Sequence, residues 1–231
     1  MEHTGKKLLI LGGIRLASEI VKQAHKQGIY VIVTDYLENS PAKKIADKSF
    51  MVSTTDVDAV VELIQKEKID GVITGFIDSM LPYYQAICEK AELPCYGTKE
   101  QFEILTNKTK IKELCKKFNI PVVKEYHIKH PISQTEIAKL PYPLLVKPTD
   151  YSGARGVYIC HSPDDLMLNY KKSLDFSPSK NILFEHYVTG KELHIYYLVQ
   201  EGEFSLAAMS DRHMSMSDSG ILPLPVAYTY P

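Results

Sequence analysis

The stretch YPLLVKPTDYSGARGVYIC, residues 142–160, decides how the rest of the chain is read. Its apolar flanks, Leu144-Leu145-Val146 and Val157-Tyr158-Ile159-Cys160, have the composition of strands, and Lys147 ends the first of them. Between the flanks, Asp150, Ser152, Gly153, Ala154, Arg155 and Gly156 pack little and expose backbone N–H groups. A hairpin of this kind can wrap an anion, because successive amides converge on it and glycine permits close approach. An ordinary hairpin with turn residues fits the same letters. The choice between phosphate loop and plain turn rests on the neighbouring sequence.

Downstream, residues 163–172 read as a helix and NILFE (181–185) as a strand. A long hairpin follows, with arms KELHIYYLVQ (191–200) and EFSLAAMSDR (203–212) around Glu201-Gly202. On its first arm Leu193, Ile195, Tyr197 and Val199 share one face, and Glu192, His194 and Tyr196 the other. Upstream, NKTKIKELCKKFNIP (107–121) predicts a helix capped by Asn107 and ended by Pro121. Its apolar face is Ile111, Leu114, Cys115 and Phe118. This half has the pattern of antiparallel sheet plus helices.

The first hundred residues read differently. Strands at 7–11, 30–35 and 71–74 alternate with helices at 16–26, 57–64 and 80–91, which implies a parallel, doubly wound sheet. A boundary near residue 98 separates the two patterns. Ligands of such sheets sit beyond the carboxyl ends of the strands, which here carry Gly12, Arg15, Asp35 and Asp78. The dinucleotide fingerprint started at Gly12 lacks its central glycine, because Ile14 stands there. Asp35 lies at a distance suited to a ribose hydroxyl, and a cap or turn role suits it equally.

The 231 residues are 45% apolar and 24% charged, with a net charge of −1, so no global field draws the chain to nucleic acid or to an anionic membrane. The apolar run at residues 8–11 is too short for a signal peptide core or a membrane span, and a cytoplasmic protein is expected. Cys88, Cys95, Cys115 and Cys160 show neither a C-x-x-C pair nor zinc spacing, so reduced, mostly buried thiols are expected. HIKH (127–130) has no acidic companions nearby and reads as loop histidines; no metal ligand is assigned.

Lys108 at a helix start, Lys147 before the glycine hairpin, and FEHYVTGKE (184–192) now stand in order. A Walker P-loop is absent. Two lysines and a ring of amides nevertheless suit the phosphates of a nucleoside triphosphate. At these residues the sequence resembles the ATP-grasp superfamily, specifically the carbamoyl-phosphate-synthase-like carboxylate–amine ligases. TNKTKIKELCKKFNIPV is similar to its N-K helix, LLVKPTDYSGARGV to its V-K-P strand and phosphate loop, and LFEHYVTGKELHI to its E-x-x-x-x-G-x-E hinge. SPAKKIAD (40–47) is similar to part of the domain preceding the grasp module.

The resemblance implies a Rossmann-like domain over 1–98 and an incomplete ATP-grasp α+β module over 99–231. It implies that Lys108 meets the α-phosphate side of ATP and Lys147 the α-phosphate and adenine edge. Ser152, Gly153, Ala154 and Gly156 then form the loop over the β- and γ-phosphates. Glu185, His186, Tyr187 and Val188 form the adenine hinge through backbone groups, and Glu192 holds the ribose. Arg212, within SDRHMSMSDSG (210–220), is a weaker substrate candidate with Gly12, Arg15, Asp35 and Asp78. The family's magnesium ligands, an acidic residue and a Glu-x-Asn pair, have no counterpart after Glu192, and ILPLPVAYTYP (221–231) reads as cut in mid-course without a strand. Mg2+ ligands are therefore expected beyond residue 231, and the chain as given is expected to bind nucleotide weakly without turnover. Implied partners are a small carboxylate and an amine; a homodimer is allowed. The rival readings are a nucleotide-binding protein without turnover and a Rossmann-type nucleotide-sugar or dinucleotide binder.

Overall fold

The computed structural model describes residues 3–128, 132–151, 153, 155–215 and 225–230. Two short apolar runs, Lys7–Leu11 (β1) and Tyr30–Thr34 (β2), lie side by side in parallel with Leu9 opposite Ile32. Gly71–Thr74 (β4) pairs with the other edge of β1 and Lys48–Phe50 (β3) with β2, giving the parallel order β3-β2-β1-β4. Ala17–Lys26 (α1) packs Ala17, Val21 and Ala24 against Ile10, Val31 and Val33 on one face. Val57–Glu67 (α2) and Leu81–Lys90 (α3) cover the other, where Leu9, Leu11 and Ile32 meet Val60, Ile64, Tyr84 and Ile87. Both faces of the central strand are buried, which is why it reads as an unbroken apolar run. The edge strand β3 escapes the sequence reading because its three residues are too few for a period.

A further helix, Lys99–Thr106 (α4), opens on a capping box between Thr98 and Gln101. It buries Phe102 beside Tyr84 and Tyr96, whose rings stack at 4.6 Å. By contact the chain divides into Met1–Ile111 and Lys112–Pro231, later than the division near residue 98 expected from the sequence. Phe102 is the reason: it completes the core of the first unit. The division falls inside the helix Lys108–Lys117 (α5).

In the second unit, Leu144–Pro148 (β5) is flanked antiparallel by Tyr158–Cys160 (β6) and Ile182–His186 (β7). Pro163–Phe176 (α7), capped by Ser162 on the Asp165 amide at 3.1 Å, packs on this sheet. Leu144, Val146, Cys160 and Phe184 meet Leu166 there, together with Ile137 of the short helix Gln134–Ile137 (α6). Burial pushes the Cys160 thiol up to about 11, so it stays protonated and acts as a small apolar group.

Glu192–Gln200 (β8), Glu203–Met214 (β9) and Pro225–Thr229 (β10) form a separate antiparallel sheet in the order β10-β9-β8. Three expectations are corrected in this unit. The tail holds a strand, β10, with Pro225 at its first residue, where a missing N–H is tolerated. The expected apolar face of β8 is not core: Leu193, Tyr197 and Val199 are exposed, and Ala207 is an extra residue in β9 that shifts the pairing between Tyr196 and Tyr197. Phe118, placed on the apolar face of α5, is 64% exposed beyond the last turn.

Candidate nucleotide-binding site

The pleat of β5 sends Leu144, Val146 and Pro148 toward α7 and Lys147 to the opposite face. There the Lys147 Nζ lies 2.5 Å from Glu185 Oε2, and the Glu185 side chain is only 3% exposed. Residues 124–126 run beside β7: the Tyr126 amide donates to Phe184 O at 2.8 Å and the His186 amide to Lys124 O at 2.9 Å. This pairing sets Glu125 directly opposite Glu185. Like charges so placed repel.

Lys112, from α5, answers that repulsion. Its Nζ stands 2.8 Å from Glu125 Oε1 and 2.5 Å from Glu185 Oε1, and donates to Val123 O at 3.2 Å. Neither of those carboxylate oxygens accepts a hydrogen bond of good geometry among the described residues, so the contacts are ionic rather than directional. Two ammonium groups thus balance one buried and one half-buried carboxylate. Sequence reasoning missed Lys112: α5 carries lysines at 108, 110, 112, 116 and 117, and the letters do not say which turns inward. Its partner carboxylates come from segments distant in sequence, so no local spacing marks it.

The loop at 149–157 is fastened at both ends. Asp150 accepts from Ser177 Oγ at 2.8 Å and from the Ser179 amide at 2.9 Å. Burial alone would raise the Asp150 carboxyl; the hydrogen bonds from Ser179 and Ser177 outweigh it and hold the group below the ordinary aspartate value. At the other end Gly156 is buried against α7, its carbonyl accepting from Ser173 Oγ at 2.8 Å. A Cβ there would stand 2.8 Å from Phe176 Cβ. Arg155 lies 4.9 Å over the Tyr151 ring, which meets Phe176 edge-on. Gly153 (φ +75°) is exposed at the open part of the loop. Ser152 and Ala154 lie outside the described residues.

Beyond Glu185, the His186 and Tyr187 amides are taken by Lys124 O and Pro143 O. Val188 is 59% exposed, and among the described residues nothing accepts from its amide. Glu192 opens β8 and accepts from Arg212 Nη1 at 3.3 Å, so these two sequence candidates are neighbours. Lys108 opens α5 behind Asn107, whose Oδ1 accepts from the Thr109 and Lys110 amides at 3.0 and 3.1 Å.

In the first unit Asp35 is buried and takes the turn role. Its oxygens accept from the Gly13 amide at 2.6 Å and the Leu37 amide at 2.8 Å, while Lys43 Nζ donates to the carbonyls of Asp35 and Leu37. Gly12 has φ +90°, and a Cβ there would meet Ile77 Cδ1 at 3.0 Å. Arg15 and Asp78 are exposed. His127 is exposed, and His130 lies outside the described residues. No described helix is long and apolar enough to cross a membrane.

Two family models match the chain: the PylC-like N-terminal domain over residues 8–94 and the carbamoyl-phosphate synthase L chain ATP-binding domain over 107–205. The match over residues 107–205 places that part of the chain in the ATP-grasp superfamily. It is 31% identical over 185 residues to a formate-dependent phosphoribosylglycinamide formyltransferase of Prochlorococcus marinus, covering 76% of this chain and 45% of that protein. The chain therefore spans about half the length of the curated relatives it matches. The fold is similar to the biotin carboxylase domain of Hydrogenobacter thermophilus 2-oxoglutarate carboxylase, solved with MgADP, ADP and bicarbonate (TM-score 0.77, 19% identity, 91% of this chain and 51% of that one). It is also similar to N5-carboxyaminoimidazole synthetase of Staphylococcus aureus complexed with ADP (TM-score 0.73, 22% identity, 92% and 56%).

Proposed function

We propose that the second unit binds ATP on the face of β5 and β7 that carries Lys147, as the nucleotide module of a carboxylate–amine ligase. The observation that carries this reading is Lys147 itself: a cation fixed by a buried carboxylate at the mouth of a glycine loop. Lys147 would neutralise phosphate oxygens, and the amides around Gly153 would close over them. The Val188 amide would donate to adenine N1, and Glu192, oriented by Arg212, would accept from a ribose hydroxyl.

In the reaction, a carboxylate oxygen of the substrate attacks the γ-phosphorus and the P–O bond to ADP breaks, leaving an acyl phosphate. An amine nitrogen then attacks the acyl carbon, phosphate leaves with the C–O electrons, and the nitrogen loses a proton. The residues' part is positioning and charge neutralisation, so lysines and amides suffice. Mg2+ would neutralise oxygens where charge develops. No cluster of three or more His, Cys, Asp or Glu that could hold a metal ion is gathered among the described residues. Formate-dependent formyl transfer in the relatives supports a small carboxylate, and the dimeric biotin carboxylase domain supports a homodimer. A carbamoyl-phosphate-synthase-like choice of substrates is the narrower form of this reading; the match over residues 107–205 concerns the ATP-binding domain.

Two measurements test it. Calorimetry should find ADP bound at least roughly tenfold more tightly than GDP, because guanine N1 carries a proton where the hinge amide needs an acceptor. A longer protein that carries this unit together with Mg2+ ligands should release ADP from ATP only when a carboxylate is present, and should form the amide only when the amine is added as well. Equal affinity for the two diphosphates, or ADP release indifferent to the carboxylate, would contradict the reading.

A further inference from the structure

We infer that Lys112 is a positioning residue for the proposed nucleotide site, holding Glu185 back so that Lys147 keeps its ammonium available to an anionic ligand. The inference rests on the nucleotide reading for the identity of that ligand, and on geometry for the rest.

Glu185 divides its two oxygens between two lysines, Oε1 to Lys112 and Oε2 to Lys147. The same Lys112 ammonium also meets Glu125, which faces Glu185 across the bridge from 124–126 to β7. The ion pairs of this cluster among the described residues thus join Lys147 to Glu185 of β7, and Glu185 and Glu125 to Lys112 of α5. The side-chain exposures, 13% for Lys112, 10% for Glu125 and 3% for Glu185, leave little water to screen them. In such surroundings a carboxylate without its cation seeks the next one. Only Lys147, on the same sheet face and 18% exposed, is in ion-pair contact with Glu185 besides Lys112 among the described residues. Without Lys112, Glu185 would turn both oxygens on Lys147, and the field of Glu125 would be uncompensated. Lys147 would be locked inward and its charge cancelled where a phosphate must be met.

An electrostatic role and a merely structural one move Lys147 in opposite directions, and this makes the role testable without any ligand. The 231-residue chain and its Lys112→Met variant are treated with an amine-acylating reagent, and modification of Lys147 is followed by peptide mass spectrometry against the exposed Lys139. The inference predicts acylation of Lys147 slowed by roughly threefold or more in the variant, since a tighter ion pair masks the amine. Lys112→Arg, which keeps the charge, should restore most of the rate. Faster acylation in Lys112→Met would show that Lys112 only holds the fold together, and an unchanged rate would show that it does not act on Lys147; either overturns the inference. Should Lys112→Met fail to fold, Lys112→Met with Glu125→Gln removes the cation together with one carboxylate, and the same slowing is expected because Glu185 still loses its second partner. ADP calorimetry on the same proteins separates the two readings. Slowed acylation with weakened ADP binding supports both. Slowed acylation with unaltered ADP binding keeps the positioning role and removes the nucleotide assignment.

Discussion

Glu125 and Glu185 stand opposite each other across a single antiparallel bridge, and both reach Lys112. Such a pair is tolerable only while its cations are present, and removal of Glu185 leaves Lys147 without its counter-charge while Lys112 keeps only Glu125. Glu185→Ala should therefore destabilise the second unit by roughly 3–5 kcal/mol. Urea unfolding followed through hydrogen exchange of the β5 amides measures this. Glu201→Ala, at the exposed turn between β8 and β9, should leave the β5 midpoint where it was; equal midpoints for the two variants would contradict the role given to Glu185.

The two glycines of the loop should respond differently to alanine. Each has positive φ, Gly153 at +75° and Gly156 at +72°, and each substitution costs about 1 kcal/mol for that reason. At Gly156 the added Cβ also presses on Phe176, which adds roughly 1–3 kcal/mol of overpacking. At Gly153 the nearest atom is Arg155 Nε at 4.0 Å, so no such cost arises. Thermal unfolding midpoints that fall equally would show that Gly156 is not held against α7.

The acid limb of stability should involve Asp150. Its folded-state value lies below that of the unfolded chain, so its contribution is fully present above the ordinary aspartate value and is lost as pH falls through the depressed one. The stability difference between the native chain and Asp150→Asn should be largest near neutral pH and should shrink as the pH drops below about 4. A difference that grows on acidification would reverse the assigned sign.

Nucleotide should slow hydrogen exchange between the two anchors of the loop. Asp150 and Gly156 are already fixed, so added protection should fall on the Gly153 and Arg155 amides rather than on Gly156. Uniform exchange with and without saturating ATP would mark the loop as an ordinary turn.

The parallel sheet, its three covering helices and the β5–β6 hairpin were legible because each is long or periodic enough to leave a signature, as in Leu8 to Leu11 or the run from Leu144 to Val146. What escaped has a physical reason. The strand β3 is a three-residue edge, β10 is an edge strand that opens on a proline, and α4 is half polar, its buried Phe102 having partners Tyr84 and Tyr96 from earlier in the chain. Within the candidate site, Lys147, Glu185 and Glu192 stood out by motif. Lys112 did not, because its importance comes from a bridge between distant segments that no local pattern records. Asp35 was ambiguous by sequence, and its contacts with the Gly13 and Leu37 amides place it in the turn.

The central claim is that Lys147 marks a nucleotide site, and its affinity for ADP is the most direct measurement. Calorimetry should compare Lys147→Ala with Lys139→Ala, a lysine of the same unit exposed near the end of α6. A charge-assisted contact is worth roughly 1.5–3 kcal/mol, so Lys147→Ala should bind ADP about tenfold or more weakly while Lys139→Ala binds like the native chain. Equal affinities in the two variants would contradict the account.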